Sequence, residues 1–254
     1  MKVVLFCGGM GTRIREASEA LPKPLISVHG YPIIFYLMCQ YAKAGHTDFI
    51  LCGGFKINKI YDYVKDLSDN MVDYGFDIAK WKNNGFVAPS SWSVQVKDTG
   101  SCCIGERLWR VQDLVKSDDY FFANYSDCIS DLDVNKSFKL LKNTGGICCF
   151  TAVRPSQSYH WVDFSKDNNG LISGLRESNE LDLWVNGGFM CLTPQIFEFM
   201  NCGEELVIEP FKRLAKIGKL VADKYSGFWK SIDTYKDLLE SESALLNNNY
   251  SLLS

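Results

Sequence analysis

The sequence is poor in the residues that build metal cages. It has three histidines, His29, His46 and His160, and no two of its ten cysteines are spaced as C-x-x-C. The pairs Cys102-Cys103 and Cys148-Cys149 are adjacent, which does not fit the usual zinc-ligand spacings, so no zinc site is expected. No apolar run approaches the roughly 20 residues that cross a bilayer, so no membrane span is expected. The formal net charge is only -3, which gives no general hold on nucleic acid or an anionic membrane surface. There is no linker-like, low-complexity or repeated segment. One domain over residues 1–254 is therefore expected. The opening Met1-Lys2-Val3-Val4-Leu5-Phe6 reaches a glycine loop too early for a secretory signal, so a cytoplasmic protein with reduced thiols is expected.

What is present is an ordinary globular composition. Apolar residues make up 46% and charged residues 22%, enough for one large core in 254 residues. Cys7, Cys52, Cys148, Cys149 and Cys191 lie inside apolar runs, where cysteine acts as a small hydrophobe. Val3–Cys7, Asp48–Cys52, Tyr120–Tyr125 and Ile147–Val153 are short, continuous apolar runs and read as buried strands. Pro32–Ala44, Lys59–Leu67, Leu108–Val115, Val134–Lys142, Gln195–Met200, Glu209–Ile217 and a last stretch from Ile232 to Leu246 read as helices. Val94–Val96 and Leu220–Asp223 read as further strands. Strand, loop, helix, strand, helix predicts an α/β fold with a doubly wound, mostly parallel sheet. Trp161–Phe164 and Gly170–Ile172 predict a small β-hairpin, and Trp184–Leu192 a strand interrupted by Asn186-Gly187-Gly188. Trp81, Trp92 and Trp109 are candidates for a homo-oligomer interface, with core packing the commoner fate of tryptophan.

Residues 7–13 read Cys-Gly-Gly-Met-Gly-Thr-Arg. Glycines directly after a strand let backbone N–H groups approach phosphate oxygens. Two well-known loops do not fit. The dinucleotide fingerprint needs a glycine three residues after Gly11, where Ile14 stands, which argues against a dehydrogenase. The P-loop needs Gly-Lys at its end, and this loop has none. A plain strand–helix turn remains the competing reading of the glycines alone. Ten residues beyond Arg13, Lys23 is bracketed by Pro22 and Pro24, which restrict the backbone and pre-orient its side chain. Arg13 and Lys23 together would neutralise a polyphosphate. Asp127 follows a buried strand and Asp233 precedes the last helix. Taken singly, the first reads as a turn or helix cap and the second as an N-cap.

Gly8-Gly9-Met10-Gly11-Thr12-Arg13 with Pro22-Lys23-Pro24 resembles the signature of sugar-1-phosphate nucleotidyltransferases. Gly30-Tyr31-Pro32-Ile33 matches a further element of that family. Lys97-Asp98-Thr99-Gly100, Gly105-Glu106-Arg107-Leu108, Asn124-Tyr125-Ser126-Asp127-Cys128, Asn186-Gly187-Gly188-Phe189 and Gly227–Thr234 are similar to the glucose-1-phosphate cytidylyltransferase branch. The resemblance implies a Rossmann-like, GT-A-like fold with a nucleotide-binding half over 1–150 and an acceptor-binding half over 151–254. It implies that a phosphorylated acceptor attacks the α-phosphate of CTP and releases pyrophosphate, with Mg2+ as cofactor. It assigns Asp127 and Asp233 to the metal, Lys23 to the α/β-phosphates and Arg13 to the leaving pyrophosphate. Cys7, Gly8, Gly9, Gly11 and Thr12 would wrap the nucleotide. Thr99, Gly100 and Arg107 would lie near the pyrimidine, and Asn186, Gly187, Glu177 and Arg176 at the acceptor. Asp131 and Asp133 read as caps or surface.

Three departures bear on the substrate. Ser126-Asp127-Cys128 stands where the family usually has Gly-Asp-Gly. The segment from Gly100 to Arg107 is about one residue shorter than in the branch. Glu177-Ser178-Asn179 stands where the family has Glu-Lys-Pro, and a serine cannot supply that lysine's charge-assisted contact, about 1.5–3 kcal/mol. Arg176 or Arg154 would have to substitute. An acceptor whose phosphate is not borne by a sugar ring is expected, such as phosphoglutamine for capsule modification. The alternatives are a glucose-1-phosphate cytidylyltransferase making CDP-glucose, a sugar-1-phosphate transferase using another nucleotide, and a catalytically silent nucleotide-binding module.

Overall fold

Alternation of side chains along each strand sorts the core into two layers. Val3, Leu5, Phe49, Leu51 and Phe122 face one layer, and Val4, Phe6, Ile50, Cys52, Phe121 and Ala123 face the other. With both faces buried, the strands need no polar side and read as continuous apolar runs. The structure, a computed structural model, describes residues 1–9, 21–69, 91–155, 160–167, 169–177 and 180–247.

The described strands are β1 (Lys2–Phe6), β2 (Ser27–Val28), β3 (Tyr31–Pro32), β4 (Asp48–Gly53), β5 (Ser93–Asp98), β6 (Phe121–Tyr125) and β7 (Cys128–Ser130). They continue with β8 (Cys148–Val153), β9 (His160–Phe164), β10 (Ile172–Glu177), β11 (Val185–Asn186), β12 (Met190–Leu192), β13 (Leu220–Tyr225) and β14 (Trp229–Ser231). The α-helices are α1 (Ile33–Lys43), α2 (Ile57–Asp69), α3 (Ile104–Arg110), α4 (Gln112–Val115), α5 (Asn135–Thr144), α6 (Glu209–Lys216) and α7 (Tyr235–Asn247). The central sheet runs β5-β4-β1-β6-β12-β8, with β13 pairing β8 on its far side and β11 pairing β8 beside β12. The pairs β4–β5, β1–β4, β1–β6 and β8–β13 are parallel, whereas β12 and β11 run antiparallel to their neighbours. Residues of α1, α2 and α5 line the first core layer, and residues of α3, α4 and α6 the second, so the sheet is doubly wound.

The order turns at β1, which has β4 on one side and β6 on the other. Chain leaving β1 goes toward β4 on one side and chain leaving β6 goes toward β8 on the other, the arrangement that opens a crevice beyond the carboxyl ends of such strands. Cys7-Gly8 and Ser126-Asp127 lie at that edge.

Several expectations are corrected. The helix expected over Leu108–Val115 begins earlier, at Ile104, and breaks at Val111 into α3 and α4. Gln195–Met200 is a 3₁₀ helix over Pro194–Phe199 rather than an α-helix. The strand expected over Trp184–Leu192 splits into β11 and β12, with Gly188 at φ +81° and Phe189 at φ +48° between them. The cause is buried Asn124, whose Oδ1 accepts the Phe189 N–H at 2.8 Å and sits 2.3 Å from where a Cβ on residue 188 would be. The hairpin forms, but its second strand runs on to Glu177 as β10. Trp92 packs into the core against Phe35 and Phe49, and Trp109 against Phe197. Trp81 lies outside the described residues.

A short ribbon decides where the site forms. β7 pairs antiparallel with β14, Ser231 opposite Cys128, and the ladder continues with Ile232 donating its N–H to the Asp127 carbonyl at 2.8 Å. That register sets Asp233 beside Asp127 although the two are far apart in sequence. Ile232 is fully buried under the junction. Ile232→Ala is expected to lower unfolding stability by about 2–5 kcal/mol in chemical denaturation, the range for emptying a packed aliphatic site. A change below about 1 kcal/mol would mean that the ribbon is not anchored there.

Candidate active site

The two carboxylates meet on one cation. Lys23 Nζ donates to Asp127 Oδ2 at 2.7 Å and to Asp233 Oδ1 at 2.8 Å. The two oxygens are therefore no farther apart than the sum of these distances. The lysine side chain is only 10% exposed, whereas the acids are 32% and 38% exposed and open to solvent on one side. Pro22-Lys23-Pro24 earns its shape: Pro22 is extended and leads into a 3₁₀ turn over Lys23–Leu25, in which Leu25 bonds back to Pro22 and Ile26 to Lys23. Pro24, Leu25 and Ile26 are buried, so the turn is pinned and the ammonium is aimed. Burial works against the Lys23 charge, but the carboxylates of Asp127 and Asp233 outweigh it and hold its pKa above the ordinary lysine value.

Neither acid caps a helix, although Asp127 lies in the bend between β6 and β7. Asp127 is followed directly by β7 and caps no helix. The cap of α7 is built by its neighbours instead. Asp237 Oδ2 accepts from the N–H and hydroxyl of Thr234, and Thr234 Oγ1 accepts the Asp237 N–H, a reciprocal capping box. Asp233 is thereby left to face Lys23, its second oxygen accepting the Ser231 hydroxyl at 2.8 Å. Asp133 accepts the Asn135 N–H at the start of α5, and Asp131 accepts from the Tyr225 hydroxyl and the Phe228 N–H.

On the β1–β4–β5 side, Arg107 is 4% exposed and ties three strand ends together. It donates to the Gly53 carbonyl at 3.0 Å, to Thr99 Oγ1 at 2.6 Å and to the Gly8 carbonyl at 3.4 Å. Thr99 in turn donates to the Gly53 carbonyl at 2.6 Å. The guanidinium lies where any side chain on residue 8 would start, 2.0 Å from an added Cβ, so a larger residue there would have to displace Arg107 from its three hydrogen bonds. Gly100, at φ +62°, donates its N–H to Asp98 Oδ1 in a tight turn. Cys7 is fully buried, and burial pushes its thiol up to about 12, so it is an inert hydrophobe here.

On the opposite side of β6, Asn186 in β11 donates to the Tyr125 hydroxyl at 3.2 Å and accepts the Gly188 N–H at 2.9 Å. Trp229 Nε1 donates to the Gly187 carbonyl at 2.9 Å, which joins this wall to the acid-bearing ribbon. Burial raises the Tyr125 pKa, with Glu205 and Asp127 adding to it. Arg176 is bound in two-pronged fashion to Asp163 across the hairpin, at 2.6 and 2.8 Å, and Glu177 stands opposite His160 in the same exposed pair of strands. Arg154 stacks on Trp184 and donates to the Leu181 and Leu183 carbonyls, with Asp182 as its ion-pair partner.

Of the residues singled out in the sequence, Lys23, Asp127 and Asp233 come together. Cys7, Gly8, Thr99, Gly100 and Arg107 share the edge on one side, and Asn186 and Gly187 the edge on the other. Gly9 is exposed beyond β1. Gly11, Thr12 and Arg13, and Ser178 with Asn179, lie outside the described residues. Tyr125, which bonds Asn186 at this edge, was not singled out in the sequence. The signal was there, in a polar-tipped aromatic closing a buried strand two residues before a key acid.

The chain matches the family described as "Nucleotidyl transferase" over residues 2–248. It is 33% identical over 243 residues to a protein named glucose-1-phosphate cytidylyltransferase from Salmonella typhi, covering 93% of both chains. The same identity and coverage hold for the protein of that name from Salmonella typhimurium. The structure of a UDP-glucose pyrophosphorylase from Acinetobacter baumanii superposes with a TM-score of 0.71 at 17% identity, covering 99% of this chain and 95% of that one, a likeness of fold.

The charge balance at Lys23 is open to direct measurement. A lysine whose folded pKa is raised contributes stability that is complete below the unfolded value and is lost only as pH climbs through the folded value. The bridge is therefore expected to persist through neutral pH and to fail only in strongly alkaline solution. Asp127→Asn removes the larger attraction while burial remains, so the Lys23 amine should titrate at lower pH than in the unaltered protein. NMR of side-chain-labelled lysine reads this, and an unmoved titration would show that Asp127 does not hold the ammonium.

Proposed function

The chain belongs to the nucleotidyl transferase family, and within it we propose a cytidylyltransferase that couples CTP to a small phosphorylated acceptor and releases pyrophosphate. The observation that carries this reading is the convergence of Asp127 and Asp233 on a single cation at the carboxyl edge of the sheet. The name glucose-1-phosphate cytidylyltransferase borne by the Salmonella relatives supports CTP as the nucleotide. The chemistry asks little of a general base, because an acceptor phosphate is already anionic. The barrier is the approach of one anion to another, so alignment and charge neutralisation are what the protein must provide.

The donor set fits Mg2+. Two carboxylates already converge on one positive charge, and both remain open to solvent, as an octahedral ion completed by water and phosphate oxygens requires. Asp127 and Asp233 would hold it, and when bound it neutralises developing charge on the phosphates. Lys23 is the chain's own cation at this point and is assigned to the α/β-phosphates, with Arg13 on the leaving pyrophosphate. Cys7, Gly8, Gly9, Gly11 and Thr12 form the nucleotide turn, with Thr99, Gly100 and Arg107 toward the base. Asn186, Gly187, Glu177 and Arg176 form the acceptor side. One domain with a nucleotide half over 1–150 and an acceptor half over 151–254 is supported by the single sheet that β1, β4, β5 and β6 share with β8, β11, β12 and β13.

Two acceptors are set against each other by specific observations. Glu177-Ser178-Asn179 removes a lysine expected on the acceptor phosphate and favours a phosphate off the sugar ring, such as phosphoglutamine in capsule biosynthesis. The names of the Salmonella relatives favour glucose 1-phosphate. Pyrophosphate release is to be measured for CTP, UTP, GTP and dTTP against both compounds. CTP should be turned over fastest, and phosphoglutamine faster than glucose 1-phosphate. Best turnover with glucose 1-phosphate would discard the phosphoglutamine reading and leave the cytidylyltransferase in place. Asp127→Asn and Asp233→Asn should each lower turnover by roughly 10²-fold or more, the scale of losing transition-state charge stabilisation. Turnover that survives both changes would sink the two-carboxylate mechanism.

A further inference from the structure

The cations near the acceptor side are already committed. Arg176 is closed onto Asp163 by two hydrogen bonds, and Arg154 is spent on the Leu181 and Leu183 carbonyls and on Asp182. An anionic acceptor entering here also meets the field of Asp127 and Glu205, both of which act on Tyr125. It therefore needs a donor that the fold has left open. Tyr125 ends β6, two residues before Asp127. Its ring packs on Phe6 and lies 3.0 Å from where a Cβ on Gly188 would be, so the side chain has little room to swing. Its hydroxyl oxygen accepts the Asn186 amide at 3.2 Å, which leaves the hydroxyl hydrogen to donate elsewhere. Among the described residues it has no acceptor. Arg107 binds the Gly8 carbonyl at the end of β1, whereas Tyr125 turns its hydroxyl to Asn186 in β11, on the other side of β6. In an in-line displacement the entering oxygen comes from the side opposite the leaving pyrophosphate.

Resting on the cytidylyltransferase reading above, we infer that the Tyr125 hydroxyl is a binding donor for the acceptor's phosphomonoester, held in place by Asn186. The amide fixes the oxygen, the ring contacts fix the plane, and the remaining O–H points its hydrogen to an anionic oxygen beside Asp127. Tyr125→Phe removes that hydrogen bond and keeps the ring.

Calorimetric titration of glucose 1-phosphate and of phosphoglutamine onto the full chain, with Mg2+ and α,β-methylene CTP present, tests this. Tyr125→Phe should weaken phosphomonoester binding about tenfold, equivalent to about 1.4 kcal/mol, and leave affinity for the CTP analogue within about twofold. Asn186→Ala should move the same affinity in the same direction, with the melting temperature of Tyr125→Phe unchanged. Equal phosphomonoester affinity in Tyr125→Phe, a loss that falls on the CTP analogue instead, or no phosphomonoester binding to the unaltered protein would each overturn the inference. Failure of the underlying reading looks different: the unaltered protein would bind both ligands and release no pyrophosphate from CTP.

Discussion

Three segments remote in sequence are joined by one ammonium between two carboxylates. Lys23 is carried by a proline-bracketed turn, Asp127 by the end of a buried parallel strand, and Asp233 by the junction between a short ribbon and the last helix. Burying an amine is unfavourable in isolation, and a lysine this covered would lose its charge if it stood alone. Two partners at hydrogen-bond distance reverse that balance. Removing one of them leaves a covered cation with half its compensation, a larger penalty than the net worth of the intact group. The stability of the local structure and the charge of the site are therefore the same quantity, which is why the surrounding backbone is built so rigidly.

That rigidity has identifiable sources. The β7–β14 ladder runs on into the bond from Ile232 to the Asp127 carbonyl, so the spacing of the acids is set by strand register and not by side-chain reach. The capping box of Thr234 and Asp237 takes over the helix-terminal donors and releases Asp233 from that duty. On the far side, Arg107 binds the ends of β1, β4 and β5 through Gly8, Gly53 and Thr99, and a side chain on residue 8 would displace it. The crevice is thus flanked by two frameworks, one of parallel strand ends and one of an antiparallel ribbon, with the acids at their boundary.

The parallel strands were legible in the sequence because strands covered on both faces carry uninterrupted apolar runs, as Val3–Cys7 and Tyr120–Tyr125 do. The helix at Pro32–Ala44 was legible from its period and from the glycine at its end, Gly45, which sits at φ +88°. What escaped was set by tertiary contacts. β7 and β14 are three residues each and have no periodicity to detect. The interruption of Trp184–Leu192 was legible from its glycines, but the contact that fixes it, buried Asn124 capturing the Phe189 N–H from sixty-odd residues earlier, was not. Asp233 resembled an N-cap because aspartates before helices usually are, and only the competing box at Thr234 removes that reading. A shared metal-binding role for Asp127 and Asp233 could be proposed from resemblance, but no spacing rule could have shown that both acids reach one point.

Acceptor recognition follows from the same economy of charge. The two arginines that sequence reading offered in place of the missing lysine are both internally satisfied, one across a hairpin and one under a tryptophan. Drawing either toward a substrate would break an existing ion pair, so the gain from the new contact would be reduced by the loss of the old one. A neutral donor such as a tyrosine hydroxyl carries no such debt, since its oxygen can remain bonded to an amide while its hydrogen is offered outward. A site assembled in this way places fewer positive charges on the acceptor phosphate and depends more on the fixed direction of its donors. It should consequently discriminate acceptors by the shape that carries the phosphate, because direction is lost more readily than charge when a substrate is displaced.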